Sequence, residues 1–249
     1  MIITGGHPYQ GYSTGILKLD ERCYPMTSGD VGNATSYPFP VLIREVKGLL
    51  NNPSPPITTP DGAYTEYVQL CINEAIQLEK DGVRCIAMCC GFLSLIQQVT
   101  AAHVNIPVMA SPLMMIPIVH QMIRPEQSIV VVTASASLLT NEFFTAVGAD
   151  LNDRINLVGL DDSKSFNSMC MGGKTLSFEY NDLREDIISL IENAQKKNPN
   201  IGAILLECSS LPPFANDVRE ATGLPVFDFI ACVKWMHNAV VPEKYSGYI

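Results

Sequence analysis

Cys90-Gly91-Phe92 leading to Ile106-Pro107-Val108, and Cys208-Ser209-Ser210 leading to Leu224-Pro225-Val226, are two copies of one pattern. Cys90 precedes Pro107 by 17 positions, and Cys208 precedes Pro225 by 17. Each cysteine follows a short apolar run, Cys85-Ile86-Ala87-Met88-Cys89 or Gly202-Ala203-Ile204-Leu205-Leu206-Glu207, and precedes a helix-like stretch that ends at the apolar-Pro-Val strand signal. A lone free cysteine carries little information, because the residue type is often a small core filler. Two thiols at matched positions of a duplicated unit carry more. In parallel α/β sheets ligands gather at the carboxyl ends of strands, where both thiols fall.

The surrounding pattern extends the duplication. Gly15 to Leu19 reads as a first strand, followed by a Gly/Pro/Ser-rich loop from Asp20 to about Pro40 that is long enough to cover a site. Val41 to Leu50 reads as a short helix. Tyr64, Tyr67, Val68, Cys71, Ile72, Ala75 and Ile76 repeat at helical spacing, which puts Cys71 on the buried stripe. Ser128 to Thr133 is a buried-strand run, Ile155 to Leu160 another, Asp161 to Lys174 a stretch of loops, and Asp182 to Gln195 an amphipathic helix. Strands alternating with helices predict parallel sheets built from right-handed crossovers. The expected fold is α/β with two pseudo-symmetric lobes, each a parallel β-sheet flanked by helices, and a site in the cleft between them. The first lobe is expected over residues 1–115, completed by 224–249, and the second over 116–223.

Composition narrows the function classes. The 249 residues are 47% hydrophobic, enough for a sizeable core. Lys plus Arg number 16 against 25 Asp plus Glu, a net charge of -9 that argues against nucleic acid. The longest apolar stretch, Val108 to Ile123, is interrupted by Pro112, Pro117 and His120 and is too short to span a bilayer, so no membrane partner is expected. Without a signal peptide pattern at Met1, the eight cysteines read as reduced thiols of a cytoplasmic protein. No zinc-ribbon cysteine spacing exists, so no metal is expected. Gly5-Gly6 and Gly172-Gly173 lack the Gly-x-Gly-x-x-Gly pattern and read as turns. Strand alternation turns Cys89 away from the cleft if Cys90 faces it, and turns Glu207 away from Cys208. Cys71, Cys85 and Cys232 are expected to be structural, and His120 is a weak site candidate in the segment joining the lobes.

The stretch Ile204-Leu205-Leu206-Glu207-Cys208-Ser209-Ser210-Leu211-Pro212-Pro213, with Cys89-Cys90-Gly91-Phe92-Leu93, resembles the aspartate/glutamate racemase superfamily. Gly15-Ile16-Leu17, the loop Ser28-Gly29-Asp30-Val31-Gly32-Asn33-Ala34 and Phe39-Pro40-Val41 are similar to one branch of it. The resemblance runs from about residue 13 to the end. It implies two lobes with the site between them, no pyridoxal phosphate or other cofactor, no metal, and two cysteines acting as acid and base. Carried over by position, Cys90 and Cys208 would be catalytic. Gly91, Phe92, Thr133, Ser135, Ser209 and Ser210 would bind substrate, with Asp20 and Asn33 as looser placements. Amino-acid racemases of the family commonly have Asn-Thr after the first cysteine and Thr-His after the second, where this chain has Gly91-Phe92 and Ser209-Ser210.

The resemblance therefore implies an isomerase: a cofactor-independent racemase or epimerase of an aspartate- or glutamate-like amino acid or close derivative, working by two-base proton transfer on a small-molecule carboxylate. A decarboxylase or a cis-trans isomerase of a dicarboxylic acid within the same fold, and a noncatalytic small-molecule binding protein, are the alternatives. A homodimer is left open. Each thiol is expected at a helix start, capped after Cys208 by Ser209 or Ser210, where free backbone N–H groups favour the thiolate.

Overall fold

A computed structural model describes residues 5–20, 25–50, 52, 55–170 and 177–248. Gly172 and Gly173 lie outside them. In chain order the elements are β1 (Thr14–Lys18), β2 (Val41–Glu45), α1 (Glu66–Asp81), β3 (Cys85–Met88), α2 (Gln97–Ala101), β4 (Val108–Met109) and α3 (Ile116–Met122). The second half supplies β5 (Ser128–Thr133), α4 (Asn141–Thr145), β6 (Ile155–Gly159), α5 (Lys164–Met169), α6 (Tyr180–Lys197), β7 (Ile201–Leu206), α7 (Ala215–Thr222), β8 (Val226–Phe227) and α8 (Phe229–Val240). Short 3-10 turns precede α2, α3 and α7.

Two parallel four-stranded sheets result, ordered β2-β1-β3-β4 and β6-β5-β7-β8. The two orders are the same order, so the repeat seen around the cysteines is a repeat of whole lobes. The central strands β3, β5 and β7 are buried along their full length, which is why they read as unbroken apolar runs rather than alternating ones. The segment 224–249 is divided: β8 pairs with β7 in the second sheet, while α8 packs against β3 of the first. Thr14 and His237 join β1 to α8 through a 2.9 Å hydrogen bond.

Two elements differ from expectation. Val41 to Glu45 is a strand, not the start of a helix, and pairs in register with β1 from Thr14↔Val41 to Lys18↔Glu45. A short run containing Val41, Leu42 and Ile43 fits either state locally, and the free edge of β1 decides for the strand. The polar stretch after Asp161 contains α5, because the Ser163 hydroxyl accepts the Phe166 N–H at 3.0 Å and the Phe166 ring is wholly buried.

Gly15 shows how closely helix and sheet approach. A Cβ there would lie 2.9 Å from Leu78 Cδ1 and 3.3 Å from Val83 Cγ2. Gly15→Ala is expected to lower stability in urea by about 1–3 kcal/mol through overpacking. Leu78→Val should recover part of that loss in the Gly15→Ala background while destabilising the unmutated protein; simple additivity of the two would refute the contact.

Candidate active site

β3 ends at Met88 and β7 ends at Leu206, so the two residues after each strand form the lip of its carboxyl end. Chain direction reverses at both lips in the same way: the Cys90 carbonyl accepts the Leu93 N–H at 3.0 Å, and the Cys208 carbonyl accepts the Leu211 N–H at 3.1 Å. A cavity between the lobes is lined by Cys89, Cys90, Gly91 and Phe92 from the first lip and by Glu207, Cys208, Ser209 and Ser210 from the second. Phe166 and Cys170 of the α5 region, Met26 of the loop after β1, and Lys18 and Leu19 at the end of β1 complete its wall.

The described part of the long loop lies against this cavity through Met26 and the second lip. Beyond Met26, its Val31 N–H donates to the Ser209 carbonyl at 3.4 Å, and Gly29, at φ +101°, presses on Pro213, where a Cβ would lie 2.8 Å from Pro213 Cα. Phe92 from the first lobe meets Phe143 of α4 edge to face at 5.3 Å, closing the lobes on each other beside the cavity.

Six of the ten residues expected at the site line the cavity: Cys90, Gly91, Phe92, Cys208, Ser209 and Ser210. Thr133 stands behind it and donates its hydroxyl to Glu207 at 2.7 Å. Ser135 is turned to Asp161, at 2.5 Å, and to Ser137, at 2.9 Å. Asp20 accepts the Gly48 N–H at 3.0 Å, and Asn33 caps the 3-10 turn 34–36 by accepting the Thr35 N–H, so neither is among the lining residues. His120 lies in a separate groove, 3.6 Å from Asp153. Among the described residues no three His, Cys, Asp or Glu side chains gather to hold a metal.

Cys89 and Glu207 are also among the residues lining the cavity. Both sit just beyond the last paired residue of a strand, with their backbone still tied to the neighbouring strand, Cys89 N–H to the Leu17 carbonyl at 3.0 Å and Glu207 N–H to the Val132 carbonyl at 2.8 Å. The Cys89 side chain is tied in place as well, its sulfur accepting the Leu19 N–H at 3.2 Å. Cys170 was not singled out by spacing at all, since it has no counterpart in the first lobe; its sulfur lies 3.9 Å from Ser210 Oγ.

The electrostatics also reverse an expectation. Both cysteines precede 3-10 turns rather than α-helix starts, and Ser210 turns its hydroxyl onto Cys208, 3.3 Å from the sulfur, instead of capping a helix. Burial dominates, pushing Cys208 up to about 12 and Cys90 well above the ordinary thiol value. The two are not equivalent. Cys90 is raised further by Cys89, Glu207 and Cys208 and is favoured only by the Phe92 N–H, whereas Cys208, raised by Glu207 and Asp30, receives both the N–H and the hydroxyl of Ser210.

No family model matches the chain. It is 33% identical over 244 residues to a dimethylsulfoniopropionate lyase of Durusdinium sp. clade D, covering 94% of this chain and 77% of that one. The chain belongs to the dimethylsulfoniopropionate lyase family. Dimethylsulfoniopropionate lyase 6 of Emiliania huxleyi (strain CCMP1516) is 30% identical over 99% of this chain, which spans 63% of that relative's length. The fold is that of the aspartate/glutamate racemase superfamily. A glutamate racemase isoform of Bacillus anthracis superposes with TM-score 0.60 at 10% identity, over 94% of this chain and 82% of that one. The allantoin racemase of Klebsiella pneumoniae gives 0.58 at 18%, over 94% and 97%.

These relatives overturn the isomerase reading. The racemase or epimerase expectation, the decarboxylase and cis-trans isomerase alternatives and the binding-protein alternative were drawn from a superfamily whose fold this chain shares, whereas the sequence relatives are lyases of another substrate.

Thiol accessibility can be read directly. Among the described cysteines, Cys90, Cys170 and Cys208 are half-buried at the cavity, while Cys71, Cys85 and Cys232 are fully enclosed. Iodoacetamide on the native protein is expected to label the first three before the others, resolved by peptide mass spectrometry. Labelling of Cys71 or Cys232 first would contradict the described packing.

Proposed function

We propose that the protein cleaves dimethylsulfoniopropionate by β-elimination, releasing dimethyl sulfide and acrylate. The observation that carries this reading is the 33% identity to a dimethylsulfoniopropionate lyase across 94% of the chain, with a paired-thiol cavity inside the aligned length. The Cys208 thiolate removes a proton from the carbon next to the carboxylate. That C–H pair becomes the C=C bond of acrylate as the β C–S bond breaks, and the sulfonium electrons return to sulfur. Dimethyl sulfide leaves neutral and needs no proton, so one base suffices where racemisation needs an acid on the opposite face as well.

Cys208 is the base because it has two donors from Ser210, where Cys90 has one backbone amide. Alone it is a poor one: with a pKa of about 12, roughly one molecule in ten thousand is thiolate at pH 8. The substrate changes that balance. A sulfonium cation about 4–5 Å away, at an effective dielectric of ~20, favours the thiolate by about 3–4 kcal/mol, or two to three pKa steps. A neutral substrate offers no such help, which makes the cationic leaving group part of the activation. The substrate carboxylate is taken up by the amides and hydroxyls of the turns after the two cysteines, which meet charge developing on its oxygens during proton removal.

Headspace gas chromatography of dimethyl sulfide tests the reading, and absence of release by the unmutated protein would sink it. Cys208→Ala is expected to lower kcat/KM by about 10²- to 10⁴-fold, the range for a removed proton-transfer group, with Cys90→Ala less severe. Because the thiol pKa in the free protein lies far above neutrality, kcat/KM should rise by at least about tenfold per pH unit between pH 6 and 8. A flat profile there would remove Cys208 as the titrating base.

A further inference from the structure

Among the described residues lining the cavity, Glu207 is the one carboxylate. It is 1% exposed, and its two oxygens fare differently. Oε2 accepts the Thr133 hydroxyl at 2.7 Å, whereas Oε1 is buried and has no hydrogen-bond partner. The cation in the same wall, Lys18, is directed to Glu45, at 3.4 Å, and to the Leu19 carbonyl, at 3.0 Å. A buried carboxylate with half of its acceptors unmet is costly to hold, and burial raises Glu207 to about 7.

The fold is nevertheless shaped to hold it there. A Cβ at Gly91 would lie 1.6 Å from Glu207 Oε1 and 2.7 Å from the Glu207 carbonyl oxygen, so the acid of the second lobe fills the space where a side chain of the first would stand. Position 91 must be glycine for this carboxylate to reach across the lobes. Around it the wall is apolar and aromatic, with Phe92, Phe166 and Met26, a surface that suits an onium group stripped of water.

We propose that Glu207 is the counter-charge for the onium end of the substrate, selecting sulfonium acids over acids of the same shape that lack the onium charge. This rests on the lyase reading and adds a specificity residue to it. The sulfonium sits against the part of the cavity wall that Glu207 contributes, and the Thr133 hydroxyl holds the carboxylate in place behind it. Because Gly91 and Glu207 belong to the turns carrying Cys90 and Cys208, the onium charge also comes to rest near both thiols.

The test uses the Cys208→Ala protein, in which turnover is slowed, and compares dimethylsulfoniopropionate with 4-methylpentanoate, its isostere without the sulfonium charge, by titration calorimetry. Glu207→Gln in that background is expected to weaken dimethylsulfoniopropionate by about 10-fold or more while leaving 4-methylpentanoate within about 2-fold. Equal loss for both ligands, which a merely structural role would produce, or no loss for the cation, overturns the inference. A second comparison needs no change at Glu207: with Glu207 present, the sulfonium acid should bind about 10-fold tighter than 4-methylpentanoate, and equal or weaker binding also overturns it. Dimethyl sulfide release by the unmutated protein is measured alongside. Its absence sinks the lyase reading alone, because the charge comparison is decided by the affinities.

Discussion

Where β3 and β7 stop governs the rest of the site. Parallel pairing holds Cys85–Met88 and Ile201–Leu206 at the centre of their sheets and releases the chain two residues before the backbone turns. Those two residues, Cys89-Cys90 in one lobe and Glu207-Cys208 in the other, lie past the last paired positions, with the Cys89 and Glu207 N–H groups still donating to the adjacent strand, and all four line one cavity. The closely matched reversals after both lips bring equivalent backbone into opposition from two sheets of equal order.

The duplicated backbone carries unequal chemistry. Ser210 gives Cys208 two donors, while Cys90 faces Cys89, Glu207 and Cys208 with one amide in its favour. A racemase needs two groups of comparable competence on opposite faces of a carbon; an elimination that expels a neutral sulfide needs one. The inequality of the thiols is thus in keeping with lyase chemistry, although the overall geometry is the one that racemases of this superfamily use.

Burial sets the terms on which the thiols work. An enclosed apolar cavity raises both cysteines and Glu207 instead of lowering the thiols, because desolvation of a charge outweighs the few dipoles that a 3-10 turn can aim at it. The same low polarity strengthens every interaction that a bound cation makes there.

The sequence by itself determined the lobes and the thiols. The repeated 17-residue spacing, the buried runs at Ser128–Thr133 and Ile201–Leu206, and the helical stripe through Cys71 are local periodicities, and periodicity survives without knowledge of what packs on what. The loop from Asp20 to Pro40 was legible from its length alone as a segment belonging beside the site. Other features depended on partners far away in the chain: β2 needed the edge of β1, Asp20 was claimed by Gly48, and Cys170 reached the cavity only through the packing of α5. Glu207 was the largest of these, since its direction depends on an empty volume at Gly91, 116 positions earlier, and on the hydroxyl of Thr133. Only the tertiary structure decides such a residue, because its side chain takes the room that the opposing lobe leaves.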